Sequence, residues 1–329
     1  MAIHTVLGAG QVGRKLTEEL LAMGHEVRLV RRGAAGPARP GLTWLAGDVT
    51  DAAFLDTACR GASVVYNCVN PPDYTRWEGV MEPLFDGVLA AATRARARLV
   101  VLDCLYMVGR PDLAFFDEDT PMRPCSEKGR MRARLVERLF AAHTRGDLEV
   151  TSGRASDFFG PQTPLSFVLS PQALTRIVAG KRAFVLGDPD LPRSYSYTPD
   201  VARGLAILGT RPEAVGRIWH LPVSAQQTTR ILLQHAFTAA GQQAKLLRIP
   251  RWVFTASSPF SAFMAAAREM LYQWEIPYAM DDRRFRSTFG VEPTPIEAAV
   301  EATLRAHHDQ TQQVGQAMRD GQGGHTASA

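Results

Sequence analysis

The chain has 329 residues, 46% of them hydrophobic, and its 37 Lys and Arg nearly balance its 33 Asp and Glu, leaving a net charge of +4. That length buries a sizeable core over about two domains, and so small a charge argues against nucleic acid or an anionic bilayer as partner. The four cysteines, Cys59, Cys68, Cys104 and Cys125, form no Cys-x-x-Cys pair and have no His cluster beside them, which argues against a disulfide framework and against a metal site. No apolar run is long enough to span a bilayer, and no basic, cleavable leader precedes the first strand, so a reduced, cytoplasmic protein is expected.

Strand and helix signals alternate from the start. Residues 3–7 read as a strand and 13–23 as an amphipathic helix closed by Gly24. Strands follow at 26–30 and 42–46, a helix at 52–60, a β-branched strand at 63–70 and a long helix at 80–96. Then come a strand at 99–103, a helix at 129–144 and a sixth strand at 148–152. This βαβ series predicts an α/β fold, a doubly wound Rossmann parallel sheet over residues 1–160 with helices on both faces. After Gly153 the rhythm changes, and Pro161, Pro164 and Pro171 interrupt it. Helices at 173–179, 199–208, 228–240 and 261–274 and strands at 183–186 and 216–221 make residues 161–308 a smaller C-terminal substrate lobe, some segments returning to the sheet. The Gln-, Gly- and Ser-rich stretch 309–329 has no core pattern and is expected to be disordered.

The string Leu7-Gly8-Ala9-Gly10-Gln11-Val12-Gly13 follows a strand and opens a helix, the setting that a dinucleotide fingerprint requires. Gly8 makes the tight turn, Gly10 lets the backbone approach a pyrophosphate, and Gly13 lets helix and strand pack closely. The N–H groups around Gln11 and Val12, at the positive end of the helix, face the phosphates. An NAD site places an acid at the tip of the second strand, about 20 residues on. Here the tip carries Arg31 and Arg32, suited to a 2′-phosphate, so NADP(H) is expected over NAD(H).

With Gly47-Asp48-Val49-Thr50-Asp51, Ser196-Tyr197-Thr198-Pro199-Asp200 and Phe289-Gly290-Val291-Glu292-Pro293-Thr294, these residues resemble the extended and atypical branches of the short-chain dehydrogenase/reductase superfamily over roughly residues 3–305. The strings around Asp103-Cys104-Leu105-Tyr106, Lys128-Gly129-Arg130-Met131-Arg132 and Gly153-Arg154-Ala155-Ser156-Asp157-Phe158 are similar to the NAD-dependent epimerase/dehydratase set within it. The resemblance implies that Asp48, with Val49, contacts the adenine and that Asn67 to Asn70 pass the nicotinamide ribose. It also implies a homodimer through the helices at 80–96 and 129–144, with Val88, Leu89, Ala92, Leu135, Val136 and Leu139 as its apolar face.

The family's catalytic pattern is altered here: Cys104 stands at its Ser position, Lys128 at its Tyr and Arg132 at its Lys. Three readings stay open. Lys128 is the acid/base, tuned by Arg132 one helical turn away. Alternatively Tyr106 supplies a phenol, with Asp103 orienting it or pairing with Lys128. In the third, the protein is a non-catalytic NAD(P)-binding sensor. Arg154, Asp157 and Phe158, just beyond a strand's carboxyl end, are expected to wall the substrate pocket, or Arg154 and Asp157 to pair with each other. Tyr74, Trp77, Phe159, Trp252, Phe254, Phe260, Phe263 and Tyr272 give that pocket, or the lobe's core, an aromatic character. Arg193 and Arg283 are the cations offered to a diphosphate. The main expectation is an NADP(H)-dependent oxidoreductase acting at a carbonyl or alcohol of an apolar or aromatic small molecule. The alternative is a nucleotide-sugar epimerase/dehydratase.

Overall fold

The computed structural model describes residues 2–71, 73–224 and 227–323. Its first part runs β1 (Ile3–Leu7), α1 (Gly13–Ala22), β2 (Glu26–Arg31), β3 (Leu42–Ala46), α2 (Ala52–Cys59), β4 (Val64–Asn67), α3 (Met81–Ala95), β5 (Arg98–Asp103), β6 (Phe115–Phe116), α4 (Glu127–Thr144) and β7 (Val150–Arg154). There follow β8 (Asp157–Phe159), α5 (Pro171–Val178), β9 (Ala183–Leu186), β10 (Pro192–Arg193), β11 (Tyr195–Tyr197), α6 (Thr198–Thr210) and β12 (Arg217–His220). The last part holds β13 (Gln227–Thr228), α7 (Thr229–Ala239), β14 (Leu246–Ile249), α8 (Arg251–Ser257), α9 (Ala262–Met270), β15 (Ala279–Met280), α10 (Arg283–Phe289) and α11 (Ile296–Gly323).

Seven parallel strands in the order β12-β7-β5-β4-β1-β2-β3 form the central sheet. The order reverses at β1, so the crevice between the β1 and β4 tips is the switch point where open α/β sheets bind ligands. All four residues of β4 are buried, as expected of a strand covered on both faces. One face packs on α2, α3 and α4 through Leu55, Val88, Leu135 and Leu139. The other packs on α1 and α6 through Leu16, Leu20, Val201 and Leu205. Each such leucine, removed wholly from water, contributes about 1.5–3 kcal/mol. The lobe adds small paired strands, β8 with β11 and β9 with β14, and its own core around Phe237 and Ile177.

Several boundaries differ from expectation. The strand expected at 63–70 ends at Asn67, so residues 68–70 leave the sheet. The sixth strand lies two residues later, because Gly153 is not a terminator. A Cβ there would meet Leu208, Leu205 and Leu221 at 3.0–3.2 Å, so the glycine lets α6 close on the sheet. Helix α4 starts at Glu127, capped by Ser126 Oγ, which accepts from Gly129 N at 3.0 Å, and Lys128 thereby enters its first turn. The helix expected at 261–274 stops at Met270 and tightens to a 3₁₀ turn over Leu271–Trp274. Residues 309–323, expected to be disordered, continue α11. Low apolar content removes a core pattern, but the five Gln there are good helix formers; residues 324–329 lie outside the described residues.

The side chains expected to form the apolar face of a dimer lie inward. Val88, Ala92, Leu135, Val136 and Leu139 are buried in the chain's own core, and Leu89 packs against it. Outward, α3 and α4 show ion pairs instead: Arg134 with Glu82 (2.7 Å) and Arg138 with Asp86 (2.9 Å). Among the described residues no helix is long and apolar enough to cross a membrane.

Candidate functional site

At the switch point Gly8 has φ +102°, a conformation costly for any residue with a Cβ. A Cβ on Gly13 would stand 1.9 Å from the Gly8 oxygen, so α1 can approach β1 this closely only with glycine. A Cβ on Gly10 would meet nothing within 4 Å, which leaves open space before the first turn of α1. Val12 is the N-cap of α1 and is buried against the sheet, while the Gln11 side chain accepts from Leu165 N at 3.1 Å. The neighbouring strand tips complete a row. Arg31 ends β2 with its guanidinium 5.8 Å from the Trp44 ring, and Arg32 is exposed beside it. Asp48 Oδ1 accepts from Thr50 N and Oγ1, both at 2.9 Å. Those bonds, with the charge of Arg32, hold its carboxyl below the usual range. Val49 is buried behind it, and Asn67 Oδ1 accepts from Val69 N at 3.2 Å. A glycine cradle, free helix N–H groups and a polar residue at each strand tip fit a nicotinamide dinucleotide laid across the sheet.

Beyond the tips of β4, β5 and β7 lies a cleft of about 200 Å³ whose lining includes Asn70, Tyr74, Trp77, Cys104, Tyr106 and Arg132. Arg132 is buried and committed. It donates to Asn70 Oδ1 (2.5 Å) and Asp103 Oδ1 (3.4 Å), and its guanidinium lies 4.9 Å over the Trp77 ring. The expected pairing of Asp103 with Lys128 or Tyr106 is therefore corrected. Asp103 Oδ1 also accepts from Cys104 N at 2.8 Å. Lys128 does not depend on Arg132. Its Nζ donates to Glu269 Oε2 (2.9 Å), its backbone N donates to Glu269 Oε1 (3.1 Å), and Nζ sits 4.9 Å over the Tyr74 ring. Glu269, at the end of α9, escaped sequence reading, although it is the only carboxylate between Glu213 and Glu275.

Tyr106 stacks on Trp77, centroids 6.2 Å apart, and its phenol meets that of Tyr74. Burial, reinforced by Tyr74, pushes the Tyr106 phenol well above its ordinary value. Burial likewise pushes the Cys104 thiol up to about 12 and the Cys68 and Cys59 thiols to about 12 and 11. Cys104 is thus a neutral thiol and no nucleophile at neutral pH. Iodoacetamide at pH 8 is accordingly expected to label the exposed Cys125 and spare the other three in the folded protein, read by peptide mass; labelling of Cys104 at a similar rate would refute the neutral-thiol assignment.

The expected substrate residues divide. Phe158 and Asp157 line the cleft. Arg193 does not reach it as a free cation: it is buried, donates to Asp157 Oδ2 and to the Gln273 carbonyl, and covers the Trp274 ring at 3.9 Å. Asp157 therefore pairs with Arg193 and not with Arg154. Arg154, also expected in the pocket wall, is wholly buried in β7, and its three guanidinium nitrogens have no partner among the described residues. The charges acting on it come from Asp103 and Glu118. Arg283 is held by Asp281 away from the cleft. Phe159, Phe254 and Tyr272 are core residues, and Trp252, Phe260 and Phe263 are exposed elsewhere. Leu165, Phe167 and Gln273 line the cleft without having been expected; the first two sit in the proline-rich loop, where no periodicity marks them.

The profile of the NAD dependent epimerase/dehydratase family matches residues 5–221. Among curated proteins, the sterol-4-alpha-carboxylate 3-dehydrogenase (decarboxylating) of Bos taurus is 23% identical over 265 residues, 75% of this chain and 72% of that protein. Among solved structures, the epimerase Mth375 of Methanothermobacter thermautotrophicus superposes with a TM-score of 0.79 at 17% identity, covering 96% of this chain and 94% of its own. DesIV, a dTDP-glucose 4,6-dehydratase of Streptomyces venezuelae solved with NAD bound, gives 0.74 at 19% identity, covering 93% and 97%.

Proposed function

The chain belongs to the NAD dependent epimerase/dehydratase family, an oxidoreductase-type enzyme working with a nicotinamide cofactor, and from that premise we propose that it reduces a carbonyl of an apolar or aromatic small molecule at the expense of NADPH. The observation that carries this reading is the cleft wall. Tyr74, Trp77, Phe158 and Phe167 present rings, and Arg132, the cation lining it among the described residues, is already bound to Asn70 and Asp103. A diphosphate would find no free cation there.

The nicotinamide ring supplies hydride when bound. Tyr106 is the group we assign to the proton: burial keeps its phenol protonated and makes it a weaker acid, yet still strong enough to protonate the far more basic alkoxide that hydride transfer leaves on the substrate oxygen. Asn70 and Arg132, bonded to each other beyond the end of β4, are the groups we assign to the ribose hydroxyls, the Asn70 amide nitrogen and the Arg132 Nε being the donors left for them. The Lys128–Glu269 pair fixes the Tyr74 ring and so the phenol beside Tyr106. Stacked rings exclude water from the reacting oxygen. A nucleotide sugar is the competing substrate; it would require Arg193 to leave Asp157.

The absence of an acid at the tip of β2 supports NADPH. In a titration followed by tryptophan fluorescence, the Arg31→Ala/Arg32→Ala double variant is expected to lose about 10- to 100-fold in NADPH affinity, the worth of one or two charge-assisted hydrogen bonds, with NADH affinity unchanged. Equal loss for both, or wild-type preference for NADH, would overturn the cofactor assignment.

A further inference from the structure

The net charge of +4 conceals a polarised surface. Residues 158–187 and 214–268 contain no Asp or Glu at all. The fold brings these two stretches together, because β9 pairs with β14. In that pairing Phe184 lies opposite Leu247, and both point outward, 49% and 40% exposed, while Ala183 and Val185 turn into the core. Val178, at the end of α5, is exposed beside them in sequence, and β14 leads directly into α8, whose Trp252 is 68% exposed. The turn between α8 and α9 carries Phe260, 90% exposed. Cations surround these apolar groups: Lys181 and Arg182 precede β9, Lys245 and Arg248 flank and enter β14, and Arg176 lies 4.4 Å over the Phe184 ring. None of these five has a carboxylate partner among the described residues, whereas Arg251 is neutralised by Glu275 and Arg230, in the same acid-free stretch, by Asp190. No residue of this face lines the catalytic cleft.

We propose that this face, the β9/β14 ribbon with the α8–α9 hairpin, docks the protein peripherally on an anionic lipid surface. Exposed apolar groups of this number are held in water at a cost unless something covers them. Tryptophan and phenylalanine seat at the boundary of headgroups and acyl chains, and unpaired Lys and Arg gain from anionic headgroups. A nucleic acid would satisfy the cations but would give no place to Val178 and Leu247, and a second copy would bring the same positive charge against itself.

Flotation of the full chain with vesicles tests this. The protein is expected to float with phosphatidylcholine–phosphatidylglycerol vesicles, to stay behind with phosphatidylcholine alone, and to be released by salt. Each of Lys181→Gln, Arg182→Gln and Lys245→Gln is expected to weaken partitioning about fivefold. Trp252→Ser with Phe260→Ser is expected to abolish flotation while NADPH binding persists, which shows that the variant is folded. Failure to float on the anionic vesicles, or flotation indifferent to these substitutions, overturns the proposal. So does a wild-type dimer that the Trp252/Phe260 variant splits, which would make the face a self-interface. Binding of duplex DNA that responds to the charge variants but not to the aromatic ones would likewise overturn it.

Discussion

Tyr106→Phe is expected to lower the rate of NADPH-dependent carbonyl reduction about 10²–10⁴-fold, the range for removal of a positioned proton donor, with little change in NADPH affinity. The substitution deletes one oxygen and keeps the ring, so the stacking on Trp77 survives. Burial holds this phenol protonated, so the loss should be uniform across the neutral pH range. Lys128→Gln is the informative partner. Glutamine can still donate to Glu269, so the first turn of α4 stays anchored, and a loss of no more than about tenfold is expected from a group that positions Tyr74. Disappearance of the absorbance of NADPH in the presence of an aromatic ketone or aldehyde panel gives the rates. If Lys128→Gln is the crippled variant and Tyr106→Phe turns over normally, the proton donor is Lys128 and the role given to Tyr106 is wrong.

Two glycines three residues apart are expected to fail in opposite ways. Gly13→Ala places a methyl carbon 1.9 Å from the Gly8 oxygen and 3.1 Å from its carbonyl carbon. Neither is a side chain that can swing away, so α1 must move off β1. The expected cost is about 1–3 kcal/mol or more, seen as a lower urea midpoint, together with loss of cofactor binding. Gly10→Ala has open space around the added methyl, so the midpoint should stay at the wild-type value. The methyl then occupies the place where a pyrophosphate would meet the backbone, and NADPH binding should be lost alone. Were Gly10→Ala to bind NADPH as well as the wild type, the phosphates would not lie against this loop. A wild-type midpoint for Gly13→Ala would contradict the packing of α1 on β1.

The glycine fingerprint, the alternating elements and the replaced catalytic triplet are properties of short stretches of chain. Backbone geometry repeats within two to four residues, so a strand or a helix announces itself locally. The strands β1 and β3 and the lobe strand β9 accordingly lie where the pattern put them. The same reach explains the near misses. Gly153 reads as a stop because glycine usually is one, and only the close approach of α6 turns it into a packing residue inside β7.

What each charge does was decided over longer distances. Lys128 looked like a free acid/base beside Arg132, yet its partner Glu269 is 141 residues away on α9. Asp157 and Arg193, 36 apart, meet only because β8 and β11 pair. The apolar stripe of α3 and α4 was legible, but not whether it faced another copy or the chain's own sheet. The acid-free stretches 158–187 and 214–268 were likewise visible separately, and only the β9/β14 pairing makes them one surface. Sequence by itself therefore determined the elements, their order and the dinucleotide loop, since these rest on local sterics and periodicity. Tertiary structure decided which ionisable groups are free, because a charge taken from water must find whatever opposite charge the packed elements bring within reach.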